Sequence, residues 1–342
     1  MKMETIEYII KTIETLVNIP SPSGYTKDIM DYVKTEAEKF GFACEESQKG
    51  GLIISIKGSG KDTLGLSAHA DTLGAMVRSI SPEGMLRFTL MGGYTMHSIE
   101  GSYCRIHTRG GQEYTGTILA KSHSVHSYDD AKTLDRNERN MEIRIDEVVK
   151  SKKEVLALGI QSGDYISFSP YFEYTKSGFI KSRHLDDKAS VAVLLGMLKD
   201  LSEEKVLPKK NLKVLISNYE EVGYGASWIP EDITEFLAVD MGAIGDDLNG
   251  NEYAVSICAK DSSGPYDYDM TNQLIKLAQD NQIDYAVDIF PHYGSDVSAA
   301  LRGGNNIRGA LIGQGIHASH GMERTHKKAL ENTLKLLEAF IR

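Results

Sequence analysis

The chain has only three cysteines in 342 residues, Cys44, Cys104 and Cys258, an odd number set far apart. That spacing excludes both a disulfide framework and a Cys-x-x-Cys metal knuckle, and leaves buried or idle thiols. Basic clusters are missing too: 38 Lys and Arg stand against 48 Asp and Glu, for a formal charge of −10. Without a basic patch there is no electrostatic footprint for nucleic acid or an anionic membrane, and neither is expected as a partner. No apolar run approaches the ~18 residues of a membrane span. The opening Met1-Lys-Met-Glu-Thr-Ile-Glu7 carries acids where a signal peptide runs apolar, so a cytoplasmic location is expected. No cluster of aromatics offers a platform for stacking sugars.

What remains is ordinary globular composition, 41% apolar and 25% charged, in a chain long enough for one large core or two domains. Apolar residues at three- and four-residue steps predict helices over Ile6 to Val17 and Ile29 to Phe40, the second closed by Gly41. The period then changes. Strands are predicted at 42–47, 52–57 and 63–68, the last running into His69-Ala-Asp71. From Thr72 to about Tyr174 short β-like runs alternate with glycine, and long helical patterns are scarce. About a hundred residues is far too long for a connection within a compact domain, so this stretch reads as an inserted all-β domain. His123 and His126 lie within it, three residues apart. On a strand that step points them to opposite faces, which favours surface histidines over metal ligands.

After Tyr174 the α/β alternation returns. Leu212 to Ser217 reads as a buried strand ending in Asn218-Tyr-Glu-Glu-Val-Gly223, and Glu235 to Val239 as another ending in Asp240. A helix over 269–282, a strand over 285–290, a capped helix start at Gly294-Ser-Asp296 and a strand at 307–312 follow, and a helix with Leu330, Leu334, Leu337 and Phe340 on one face closes the chain. Between these last two elements stand His317, His320 and His326.

Three apolar runs thus end in His69, Glu220-Glu221 and Asp240, and ligands of open α/β sheets gather at the carboxyl ends of strands. His69-x-Asp71 at a strand end puts both side chains on one side, so His69 can ligate a metal while Asp71 orients its ring, or the pair can be structural. In the second acidic pair Glu221 suits a metal and Glu220 a general base, against a charged strand end meeting solvent. The stretch Ser182-Arg-His-Leu-Asp-Asp-Lys-Ala-Ser190 sets two more carboxylates at the mouth of the apolar helix 191–198. Adjacent side chains on extended backbone diverge, so Asp186 can bridge two metals while Asp187 bonds nearby backbone; alternatively both merely favour a helix N-terminus.

In that order, His69, Asp186, Glu220-Glu221, Asp240 and a late histidine resemble the two-metal aminopeptidases of the M42 family, the tetrahedral aminopeptidases, some of which carry glucanase labels. The resemblance covers nearly the whole chain. It implies a three-layer α/β/α mixed-sheet peptidase domain at 1–72 and 175–342, with a β-barrel-like domain inserted at 73–174 that serves oligomerisation. It implies that His69 and Asp240 hold one divalent ion, that Glu221 and His320 hold the other, and that Asp186 bridges them. Glu220 is then the general base and Asp71 orients His69. The same likeness implies a cis peptide between Asp186 and Asp187 and a place near substrate or ligand for Asp296. His320 is taken as the last ligand from its distance to Glu323-Arg-Thr, with His317 as the alternative. Thr72 stands where many members have Glu, and His317-Ala-Ser-His320-Gly replaces their Tyr-x-His-Ser pattern.

The implied reaction is removal of N-terminal residues from short peptides with a free N-terminus, by two metals ~3.5–4 Å apart that activate a water. His, Asp and Glu ligands fit Zn2+ or Co2+, with Mn2+ also suitable. The family's homo-oligomers, from dimer to dodecamer, are the expected assembly. Two other functions fit the same residues: a di-metal carboxypeptidase or deacylase, and a catalytically idle scaffold.

Overall fold

The computed structural model describes residues 3–342. Two compact units emerge: the chain up to Asp71 together with Tyr171–Arg342, and Thr72–Pro170. In the first, ten strands form one mixed sheet. Its spatial order begins Ala43–Glu46, Leu52–Ile56, Asn211–Ser217, Thr63–His69, Ile233–Val239, Arg308–Ile316, Val255–Asp261. The four strands from Asn211–Ser217 to Arg308–Ile316 run parallel to one another, and antiparallel neighbours flank them on both sides.

Burial on both faces is why the parallel strands read as continuous apolar runs. Within them the strand period sorts side chains between two cores. Val214, Ile216, Leu237, Val239, Ala310 and Ile312 join one, while Leu215, Phe236, Ala238 and Leu311 join the other. The first core is covered by helices Met3–Asn18, Lys27–Lys39, Leu185–Glu204, Tyr268–Asp280 and Lys327–Ile341. The second is covered by the short helix Asp296–Arg302, through Val297 and Ala300. The result is a three-layer α/β/α unit with unequal outer layers.

Helix Leu185–Glu204 has no polar face because it is enclosed: Val191 to Leu195, Met197 and Leu198 are all fully buried. Each large apolar side chain contributes roughly 1.5–3 kcal/mol by leaving water. Helix Met3–Asn18 crosses it at Gly196, where a Cβ would lie 2.7 Å from the Ile9 side chain. The mouth of this helix is therefore a fixed point.

The predicted elements differ from the observed ones mainly at their ends. The strand predicted at 307–312 runs on to Ile316, and the helix predicted from Asp269 starts at Tyr268 behind its N-cap Asp267. A three-stranded sheet, Glu173–Tyr174, Phe179–Ser182 and Glu323–His326, has no counterpart in the sequence reading. Glu-Arg-Thr-His carries no apolar alternation, and its strand conformation comes from pairing with Phe179–Ser182. That pairing also puts Tyr171–Tyr174 in the first unit, rather than in an insert reaching 174.

The second unit is a closed barrel of six strands in the order Gly74–Ile80, Leu86–Met91, Met141–Ile145, Glu113–Ala120, Tyr103–His107, Tyr165–Phe168. Its own core includes Val77, Phe88, Ile106, Ile118, Ile143 and Ile166. It is not wholly β: helix Lys152–Ala157, capped by Ser151, lies within it. His123 and His126 are exposed, and they sit in the loop after strand Glu113–Ala120 rather than on a strand. Among the described residues no helix is long and apolar enough to cross a membrane.

One glycine ties the sheet to its functional edge. A Cβ on Gly313 would lie 1.3 Å from the Asp240 carbonyl oxygen, so only glycine lets strand Arg308–Ile316 pass there. Gly313→Ala is expected to destabilise the protein by about 3 kcal/mol, the upper range for an overpacked site. Gly93→Ala, whose Cβ meets nothing within 4 Å, is the control and should stay within about 0.5 kcal/mol. Thermal and urea unfolding measure both.

Candidate active site

Four parallel neighbouring strands must release their chains at one edge of the sheet. Ser217 lies opposite His69, and Val239 opposite Ile312. Glu220-Glu221 therefore follow the first strand, His69 ends the second, Asp240 follows the third, and the turn containing His320 follows the fourth. Asp186 arrives from the mouth of the enclosed helix. Elements distant in sequence thus converge on one place.

The Asp186 carboxylate lies between two imidazoles. Its Oδ1 is 3.1 Å from His69 Nε2, and its Oδ2 is 3.3 Å from His320 Nε2. His320 Nε2 is also 3.5 Å from Glu221 Oε2, and His69 Nε2 is 3.8 Å from Glu220 Oε2. Ligand atoms of His69, Asp186 and Glu221 lie within 4.8 Å of one another, and so do those of His69, Asp187 and Asp240. His317 stays outside: it is exposed and pairs through its backbone with Arg324. His326 is the N-cap of the last helix, with its Nε2 at 2.9 Å from the Ser177 carbonyl. Ala318 and His320 both have positive φ, 58° and 61°, so a tight turn delivers the His320 ring.

Asp187 takes a place that its helix-mouth position does not suggest. The Asp186–Asp187 peptide is cis, and neither residue has helical backbone angles. Rather than capping the helix, Asp187 Oδ2 accepts from the His69 backbone N–H at 3.2 Å. Its other oxygen has no hydrogen-bond partner although buried, as does Glu221 Oε1.

Asp71 orients more than one neighbour. The closer acceptor for His69 Nδ1 is the Asp71 backbone carbonyl at 2.9 Å, with the carboxylate at 3.5 Å. The carboxylate itself accepts from the backbone N–H groups of Glu220 and Glu221, at 3.1 and 3.3 Å, and from the Ser23 hydroxyl. Glu323 plays a matching part on the other side. Its two oxygens accept from the backbone N–H of Asp186 and of His320, each at 3.1 Å. Sequence reasoning used Glu323 only as a distance marker. Its only sequence signal is its place three residues after His320; its burial, and with it the need for donors, is set by the packing.

Asp296 is held by two donors of its own unit. Its oxygens accept from Ser217 Oγ at 2.8 Å and the Ala226 N–H at 2.9 Å, which makes it a buried clamp on the loop after Glu221. Lys188 is a second buried group near the cluster, donating to the Ile19 carbonyl at 2.8 Å. Burial lowers its pKa to about 7.

Charge is the dominant feature. Burial, then repulsion from Asp186, raises Glu221 to about 8, Asp240 to about 7 and Glu323 to about 8. Burial likewise raises Glu220 and Asp187 well above the carboxylate range. Burial would also raise Asp186, but hydrogen bonds with His320 and His69 overcome it and hold that carboxyl well below its ordinary value. His69 is disfavoured as a cation by burial, yet its bonds to Asp186 and Asp71 raise its pKa. Both His69 nitrogens face oxygen acceptors, so the ring needs either a second proton or a cation in front of Nε2. Imidazole and carboxylate donors without thiolate, with buried oxygens left unpartnered, fit divalent cations of the Zn2+, Co2+ or Mn2+ kind. Above them is a cavity of about 380 Å³, lined by Asp186, Glu220, Glu221, Asp240 and His320 among others.

The sequence profile described as M42 glutamyl aminopeptidase matches residues 50–336. The chain is 49% identical to "Putative aminopeptidase YhfE" of Bacillus subtilis, over 99% of each chain. Among solved structures, the TET1 peptidase of Pyrococcus horikoshii, which can assemble into a tetrahedron or a large octahedral shell, superposes with a TM-score of 0.86 at 25% identity. That match covers 97% of this chain and 99% of the other. The aminopeptidase APDkam598 of Desulfurococcus kamchatkensis shares the fold, with a TM-score of 0.87 at 22% identity over 98% of this chain and 95% of its own. The chain is a peptidase of the M42 glutamyl aminopeptidase family.

Proposed function

We propose that this peptidase is a metal-dependent aminopeptidase that removes N-terminal residues from short peptides. The supporting observation is the Asp186 carboxylate, which offers one oxygen toward His69 and the other toward His320. That is the arrangement of a carboxylate shared by two cations. His69 and Asp240 would hold one, Glu221 and His320 the other. The donor set suits Zn2+ or Co2+, and Mn2+ also. When bound, the cations polarise the scissile carbonyl and lower the pKa of a water.

The chain's own residues do the rest. Glu220, lining the cavity with its side chain 15% exposed, takes a proton from the attacking water and passes it to the departing amine nitrogen. Asp71 holds the backbone of Glu220 and Glu221, so base and ligand keep their spacing. The Asp71 carbonyl fixes the His69 tautomer and turns Nε2 toward Asp186. Glu323 holds Asp186 and His320 in register. The acid-rich cavity attracts the α-ammonium of a free N-terminus.

Assembly into homo-oligomers, through the inserted barrel, is part of the same proposal. It is supported by the shells formed by the Pyrococcus horikoshii neighbour, and sedimentation of the purified chain as a monomer would overturn it.

Replacing Glu220 by Gln keeps the ligands, and is expected to lower kcat about 10²–10⁴-fold on leucyl-para-nitroanilide while metal content by elemental analysis is unchanged. Equal activity in the variant, or no hydrolysis of any amino-acyl anilide by metal-loaded wild type, would refute the proposal. His320→Ala should lose roughly half of the bound metal, whereas His317→Ala should lose none, and the reverse result would exchange the two histidines.

The metal-free chain should also show a pH signature. Glu221, Asp240 and Glu323 all have raised pKa values, so the stability they contribute is full below the ordinary carboxylate range and is lost as pH rises through about 7 to 8. Lys188, with a lowered pKa, acts oppositely, but only above about 7. The thermal midpoint of metal-free protein is expected to fall between roughly pH 5 and pH 7, and added divalent cation should restore it most at the higher pH. A flat or rising midpoint without metal would contradict the charge assignment.

A further inference from the structure

The cavity over the cluster is charged unevenly from floor to mouth. Asp186 and Asp240 in its lining are each 5% exposed, whereas Arg302, the arginine of the same lining, is an exposed residue. Arg78, Arg105, Arg136, Arg308, Arg324 and Arg342 each lie within ion-pair distance of an acidic side chain. Arg302 has no acidic partner among the described residues, and its Nη1 donates to the neutral Ser263 hydroxyl at 2.7 Å. That bond steadies one arm of the fork and leaves the charge uncompensated.

Helix Asp296–Arg302 sets how far this charge stands from the reacting centre. It starts beside the general base, since a Cβ on Gly225 would lie 2.4 Å from Asp296 Oδ1 and 3.1 Å from the Glu220 Cα. The bonds of the Asp296 carboxylate to Ser217 and Ala226 pin that end. From there the helix runs outward, with residues 296–300 buried and Leu301 and Arg302 exposed. Six helical steps of ~1.5 Å carry the Arg302 backbone roughly 9 Å from the end beside Glu220. The outer end is fixed as well: a Cβ on Gly303 would lie 2.1 Å from the Ser227 carbonyl oxygen, and Asn305 donates to that carbonyl at 3.3 Å.

We propose that Arg302 binds the C-terminal carboxylate of the peptide, which makes tripeptides with a free C-terminus the preferred substrates. The inference rests on the aminopeptidase reading above. A short peptide is a zwitterion, with an ammonium at one end and a carboxylate at the other. This cavity has the complementary arrangement, acids at its floor and a guanidinium at its mouth, so the two ends of one molecule are drawn to the two ends of the site. Reach then selects the length. Each extended residue spans ~3.3–3.6 Å and a charge-assisted hydrogen bond adds ~2.8 Å, so about two residues beyond the scissile carbonyl cover the distance along the helix. A dipeptide falls short, and a longer chain carries its carboxylate past the guanidinium.

Metal-loaded full-length protein is assayed with Leu-Gly-Gly and its C-terminal amide, which differ only in the charge at the far end. Their ratio of kcat/KM is expected to be on the order of tenfold in wild type, to collapse toward one through KM in Arg302→Gln, and to recover partly in Arg302→Lys. The same ratio should be smaller for Leu-Gly and for a pentapeptide, and a margin equal at every length overturns the tripeptide preference. A wild-type ratio near one, a ratio unchanged in Arg302→Gln, or an equal loss on leucyl-para-nitroanilide, which has no carboxylate, overturns the assignment. An acidic side chain is the other source of the same chemistry. An Arg302-dependent margin confined to Leu-Gly-Glu amide over Leu-Gly-Gln amide would place it there and refute the C-terminal reading. Calorimetry keeps this inference separate from the aminopeptidase reading. If none of the peptides is cleaved but Leu-Gly-Gly binds more tightly than its amide, and loses that margin in Arg302→Gln, the aminopeptidase reading fails and the role of Arg302 stands; equal binding sinks it.

Discussion

One carboxylate shared by two imidazoles organises the first unit. Asp186 can lie between His69 and His320 only if a helix mouth, the end of a central strand and a loop after another strand meet at a point. Each arrives by a different route. The helix is fixed because nearly every side chain from Val191 to Leu198 is buried against the sheet and the first helix. The strand ends coincide because four neighbours run parallel. The His320 turn is held by Glu323, whose carboxylate also holds the Asp186 backbone.

The electrostatic consequence is severe. Burying many carboxylates with few positive partners is costly, since each must shed its hydration and repel the others. The protein confines that cost to the edge of a sheet whose two cores are otherwise apolar. Backbone N–H groups relieve part of it: Asp71 accepts from Glu220 and Glu221, Asp187 from His69, and Asp240 from Met241. What is left over, the unpartnered oxygens of Asp187 and Glu221, is the part that a divalent cation can relieve.

Much of this was legible in the chain. His69, Glu220-Glu221 and Asp240 each follow an apolar run, and a run that is buried on both faces announces a central parallel strand. Asp186 was legible only beside those positions, because two acids at the mouth of an apolar helix by themselves suit a helix N-terminus equally well. The barrel between Thr72 and Pro170 was visible in its short, glycine-punctuated runs. The strand Glu323–His326 and its partners were not, because their residues show no alternation and take their form from one another.

The sequence by itself determined on which kind of element most of the candidate residues stand, because apolar periodicity and strand-end position are local properties of the chain. Only the tertiary structure shows that His320, and not His317, lies beside Asp186 and Glu221, since a left-handed turn and a distant backbone pairing, not spacing, set which ring points inward. It also decided that Asp187 bonds to His69 rather than capping its helix, and that Asp296 clamps the loop after Glu221. Those are facts about which donors lie within three ångströms or so of which acceptors. Partners of that kind are separated by a hundred residues or more in several cases, and they are fixed only once the sheet and its helices have packed.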